Sequence, residues 1–215
     1  YGLDKPMAER YFTYISDAAH GDFGDSLKQR GRTVMDIIAT KFPVSAKLGG
    51  MAVILALCVG VPLGVLAAYK RGTFIDSLFS VIATCGIAVP GFVICTLLLY
   101  VFGVKLQWLP TLGLKNAQSY IMPVVALAAY PTSYIMRLMR SSMLDVLGQD
   151  YMRTAKAKGL SQKVSLFKHA LRNAILPVIT YVGPMLAYTL TGSFVTEKIF
   201  TIPGLGGEFI KAING

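Results

Sequence analysis

The residues of this 215-residue chain whose types and spacing suit contact with another molecule are concentrated in Asp150-Tyr-Met-Arg-Thr-Ala-Lys-Ala-Lys-Gly159-Leu-Ser and, shortly after it, in Lys168-His-Ala-Leu-Arg-Asn173. Their chemistry is recognition and not bond making. Arg153, Lys156 and Lys158 offer cationic donors to carboxylates or backbone carbonyls, while Thr154, Ala155 and Ala157 are small enough to let another surface come close. Asp150, Tyr151, Gly159, His169 and Arg172 complete this candidate docking set. The sequence offers no paired carboxylate or serine, histidine and acid set, and His20 and His169 have no companions at metal-ligand spacing. A Gly-x-x-x-x-Gly-Lys-Ser/Thr loop is also missing, so ATP binding by that route is not expected of this chain. The expectation is a protein that is not an enzyme and that carries no metal or cofactor of its own.

Two short helices are predicted to hold the docking residues. Met139, Met143, Leu147, Tyr151 and Ala155 recur at four-residue spacing, and Val164, Phe167, Leu171 and Ile175 follow at helical spacing. Gly159 divides them, as a residue able to take the left-handed conformation that closes a helix, and Ser161 is placed to cap the next one. The same cations also suit a plain connector that sets membrane topology, or a surface for anionic lipid.

A composition 54% hydrophobic and 15% charged is too apolar for an ordinary soluble domain and predicts a membrane protein. The net charge of +10 falls in segments between apolar runs, which argues against nucleic acid as a partner. Cys58, Cys85 and Cys95 lie within the apolar runs and read as packing residues. Four spans are expected, at 48–68, 77–102, 117–136 and 174–196, after a polar extramembrane segment, 1–43. The second should bend at Pro90, and Tyr130, Thr132 and Ser133 place polar groups in the third. With Thr84, these five residues are the candidate lining of a pathway; a structural kink and hydrogen bonds to neighbouring backbones are the alternative. Trp108 and Pro110 fit an interfacial anchor. Ten cations, two at 70–71 and eight in 137–172, against two in 103–116, place the first two segments in the cytoplasm and 1–43 and 103–116 outside.

Tyr151-Met-Arg-Thr-Ala-Lys-Ala-Lys-Gly159-Leu-Ser and Lys168-His-Ala-Leu-Arg-Asn-Ala-Ile-Leu-Pro177 resemble the "EAA" loop of importer-type ABC transporter permeases, in the version carried by peptide permeases. Phe42-Pro-Val-Ser-Ala-Lys-Leu48 and Thr196-Glu-Lys-Ile-Phe-Thr-Ile-Pro-Gly-Leu-Gly206 resemble the same subfamily, the B-type membrane subunits of oligopeptide and dipeptide permeases. The resemblance implies an all-α polytopic transmembrane bundle of the type I importer class, in which four spans are visible and the first and last of six are missing. It implies a permease domain over 44–215, incomplete at its C-terminal end, in the bacterial inner membrane. Its implied partners are a second permease subunit, two ATPase subunits that bind the ATP, an extracytoplasmic peptide-binding protein and membrane lipid. Peptide import is the function implied, with dipeptides, nickel or another small solute as alternatives. A self-sufficient channel or membrane scaffold is the alternative of another class.

Overall fold

The computed structural model describes residues 5–161, 164–191 and 193–213, with Lys156 described in its backbone only. Among these residues every extended element is helical. An amphipathic helix α1 (Met7–Ala19) leads through a turn to α2 (Val34–Tyr69), whose 36 residues extend about 54 Å, far more than a hydrocarbon core of about 30 Å. Its start is fixed by a capping box: the Asp36 amide donates to Thr33 Oγ1 at 3.1 Å and the Thr33 amide to Asp36 Oδ2 at 3.3 Å. The last ten residues of the expected extramembrane segment, 34–43, and the expected span 48–68 are therefore one helix.

α2 buries a stripe of small residues, Ala52, Ala56, Gly60, Gly64 and Ala68, at helical spacing. That stripe lies on a long helix that begins with a 3-10 turn (Ala117–Tyr120) and continues as α5 (Ile121–Leu147). A Cβ on Gly60 would sit 2.8 Å from the Thr132 carbonyl, and one on Gly64 2.6 Å from that of Met136, so the two backbones touch. Lipid supplies no hydrophobic force between helices, and close backbone approach is what holds them together. Because 60 faces 132 and 64 faces 136, α2 and α5 run parallel. α5 extends eleven residues beyond the expected end of its span because Met139 and Met143 continue the buried face.

The expected second span is corrected. It is not one helix bent at Pro90 but two, α3 (Phe74–Ala88) and α4 (Gly91–Leu98, prolonged by a wider turn, Leu99–Lys105), meeting at 102°. Val89, the residue before proline, is extended at φ −77 and ψ 123, and Pro90 itself has ψ 139, so the helix ends and restarts. After α5 come α6 (Asp150–Ala157), a turn (Ser165–Ala170) leading into α7 (Leu171–Ala174), α8 (Leu176–Leu190), α9 (Phe194–Ile199) and α10 (Leu205–Ile213). The expected fourth span, 174–196, corresponds to Leu176–Ile199, in which α8 is followed by the short α9. α8 is antiparallel to α2, since Gly49 meets Thr189 while Val61 shares a groove with Ile175 and Val182.

Among the described residues Val34–Tyr69, Ala117–Leu147 and Leu176–Ile199 are long and apolar enough to cross a membrane, and the bent pair makes a fourth. The directions gather the basic segments at one end. Asp76, after the 70–71 cations, pairs with Arg140 late in α5. At the other end the loop before α5 reaches α9, with the Gly113 amide donating to the Phe200 carbonyl at 2.8 Å.

Candidate functional site

α6 hangs from the end of α5 by a short link in which the Gly148 amide donates to Leu144 and Asp145 carbonyls, and the Met152 amide to Gln149. Its two faces differ. Met152, 1% exposed, is fixed in the core, while Asp150, Tyr151, Arg153, Thr154, Ala157 and Lys158 face outward. Asn173 Nδ2 donates to the Tyr151 hydroxyl at 3.0 Å, which ties the exposed side of α6 to α7. Arg153 lies 3.4 Å from Asp150, but both side chains are almost wholly in solvent, so the pair holds little energy and leaves the guanidinium available. Arg172 is exposed and His169 half-buried, one turn before Asn173.

Ala155 departs from the docking set. It is buried in this chain's own core, so its small size serves packing under α6 and not close approach by another molecule. Thr154 donates back to the Asp150 carbonyl at 3.1 Å and stays on the outer face. Gly159 has φ +77 and nothing within 4 Å of where a Cβ would be, so the glycine answers a backbone need and not a lack of room. The Leu160 amide, donating to the Ala155 carbonyl at 3.3 Å, closes the helix across it. Ser161 caps the next turn as expected, the Val164 amide donating to its Oγ at 3.4 Å.

At the α3–α4 break lies a cavity of about 650 Å³, lined by Pro90, Phe92, Tyr130, Tyr181, Tyr188 and Thr189 among others, none of them charged. Tyr130 stacks on Tyr134 with ring centres 6.3 Å apart, and Tyr134 meets Tyr181 in a tilted contact with ring centres 4.4 Å apart. Of the five candidate lining residues, Pro90 and Tyr130 come together here. Thr84 is exposed elsewhere on α3, donating to the Ser80 carbonyl, Thr132 turns its carbonyl to Gly60, and Ser133 is buried against Gly86. Tyr181 and Tyr188, seven residues apart and so on one helix face, were the signal the sequence carried for the other wall.

A further functional-looking residue was quoted within a flanking motif but given no role by the sequence. Glu197, 1% exposed, accepts from Ser45 Oγ at 2.6 Å and from the Gly207 amide at 3.0 Å, while the Leu205 amide donates to Ser45 Oγ at 2.8 Å. The carboxylate thereby sits at the positive end of α10 and clasps that helix to α2 at Ser45, about three turns into α2.

Residues 60–215 match the family model described as "binding-protein-dependent transport system inner membrane component". The chain is 46% identical over 214 residues to the dipeptide transport system permease protein DppB of Bacillus subtilis, covering all of this chain and 70% of that protein. It is 44% identical over 217 residues to the oligopeptide transport system permease protein OppB of Salmonella typhimurium, again along its whole length and over 71% of the relative. A crystal structure of an amino acid ABC transporter with histidines superposes with a TM-score of 0.58 over 93% of this chain and 83% of that one, at 16% identity, a likeness of fold.

Proposed function

Since the chain belongs to the family of binding-protein-dependent transport system inner membrane components, we propose that it is the permease subunit of an ATP-driven importer that lets peptides through the bacterial inner membrane. It is an integral membrane protein of the type I permease fold. The observation that carries the coupling half of this reading is α6, a short helix anchored inward by Met152 that turns a cationic face away from the bundle, at the end where the basic segments gather. Asp150, Tyr151, Arg153, Thr154, Lys156, Ala157 and Lys158 would meet a separate ATPase subunit, with Gly159 setting the turn and His169 and Arg172 behind it. A second permease subunit, two ATPases and an extracytoplasmic binding protein complete the assembly, and ATP is bound by those partners. The cavity at the helix break is the wall this chain offers to the pathway.

The test is ATP-driven uptake by the reconstituted complex with di-, tri- and pentapeptides, nickel and a sugar. Peptide uptake that needs ATP and the binding protein supports the reading; uptake of nickel or sugar alone, or uptake without ATP, sinks it.

The orientation follows from the charge bias, with α6 and the α2–α3 turn cytoplasmic and the loop around Trp108 outside. In a background lacking the three native cysteines, single cysteines at Lys70 and Lys158 should resist an impermeant thiol reagent in intact cells. One at Lys105 should react. The opposite pattern would invert the bundle.

A further inference from the structure

The turn between α2 and α3 is closed by an ion pair that reaches out of the turn to another helix. Arg140 of α5 donates through Nε to Asp76 Oδ1 at 2.5 Å and through Nη2 to Oδ2 at 2.9 Å, and the Gly72 amide adds a third bond to Oδ2 at 3.0 Å. The Asp76 side chain is only 8% exposed. Arg140 is backed by α2, since a Cβ on Gly64 would lie 3.2 Å from its amide.

The pair stands between two parts of the molecule that the transport cycle must connect. Arg140 lies on the helix that ends at Leu147 and passes directly into α6, and Asp76 lies in the first turn of α3, whose other end is the break at Val89 and Pro90 beside the cavity. Elsewhere α3 meets α5 through small residues, as where Gly86 meets Ser133. Packing of this kind holds the two helices close without fixing a donor–acceptor direction between them. A bidentate fork fixes both distance and direction. We propose that Asp76 and Arg140 form the pin that makes α3, and with it the helix break, follow α5 when α6 is displaced, a pair of positioning residues for the transport step. This rests on α6 being the ATPase contact.

The test uses the reconstituted complex carrying Asp76→Asn, Arg140→Lys, or the exchange Asp76→Arg with Arg140→Asp. Uptake of a tripeptide, ATP hydrolysis, cross-linking of a cysteine at Lys158 to the ATPase, and the distance between spin labels at the exposed Val81 and Leu97 are read with and without trapped nucleotide. For Asp76→Asn the cross-link and hydrolysis persist, uptake falls at least about tenfold, and the nucleotide-dependent change in label distance disappears; the exchange restores both several-fold. Arg140→Lys keeps the charge without the fork, so it assembles and consumes several-fold more ATP per peptide. The proposal is overturned if Asp76→Asn or Arg140→Lys transports with the wild-type ratio, or if the label change survives while uptake is lost. Absence of the cross-link in the wild type would remove the ATPase contact itself, a failure distinguishable from the first because the labels would then report no nucleotide response in any variant.

Discussion

Gly159→Val should reduce peptide uptake at least about tenfold while leaving the complex assembled. At φ +77 a β-branched side chain is strained by about 1–3 kcal/mol, and since nothing lies within 4 Å of the new Cβ, the backbone conformation alone suffers. The chain escapes by giving up the turn that closes α6. The outward face would then no longer be presented at a fixed angle, and an ATPase can shift the permease between two states only by holding α6 differently in each. Moving a population from 1:99 to 99:1 takes about 5.5 kcal/mol of such differential contact, so losing even about 1.4 kcal/mol costs a factor of ten. Substitutions should rank by their tolerance of left-handed backbone and not by size, with Asn close to wild type, Ala intermediate and Val lowest. Uptake normalised to assembled complex measures this. A ranking by volume, or wild-type uptake for Val, would remove Gly159 from the coupling role.

Gly64→Val should be the most damaging glycine substitution at the contact between α2 and α5. Its Cβ would fall 2.6 Å from the Met136 carbonyl and 2.7 Å from the Met139 Cβ, so α2 and α5 must separate along their whole contact. Neither obstacle is the flexible end of a side chain. Overpacking of this kind costs about 3 kcal/mol at the upper end of the usual range, equivalent to a melting midpoint roughly 10 °C lower. Gly50→Val, on the same helix, is the control, because a Cβ there meets nothing. Thermal scans of the purified complex compare them, and equal midpoints for the two would refute a backbone contact at Gly64.

Local pattern carried some of this architecture and contact partners carried the rest. α6, expected over 151–158 and found as Asp150–Ala157, was legible to within a residue at each end, because an amphipathic run ending in Lys-Gly is a self-contained signal. The pairing of α2 with α5 was foreshadowed by Gly60 and Gly64, though not which helix they would meet. Ala155 was placed on the outer face because a small residue suits close approach from either side; only Met152 beside it, pointing inward, settles which. The depth of the break at Pro90 was underestimated, since a proline inside an apolar run is compatible with a kink: Pro43, Pro62 and Pro131 lie within continuous helices. Glu197 escaped because its partner Ser45 is 152 residues away, and a lone acid beside an apolar span ordinarily reads as its polar end.

If the uncharged, tyrosine-bearing cavity at the helix break is the pathway wall proposed above, it bears on how fast a solute moves and not only on what moves. A passenger must find entry favourable and departure equally easy, so a surface that gripped one kind of side chain would become a well from which that passenger leaves slowly, holding up those behind it. Tyrosine rings offer contact to an aliphatic, aromatic or polar side chain alike, each contact modest, and their hydroxyls can exchange partners as a peptide backbone slides past. A lining of this sort flattens the free-energy profile for a mixed population. Discrimination then has to be exercised before entry, and throughput would be limited by the opening and closing of the bundle, with nearly the same turnover for acidic, basic and neutral passengers.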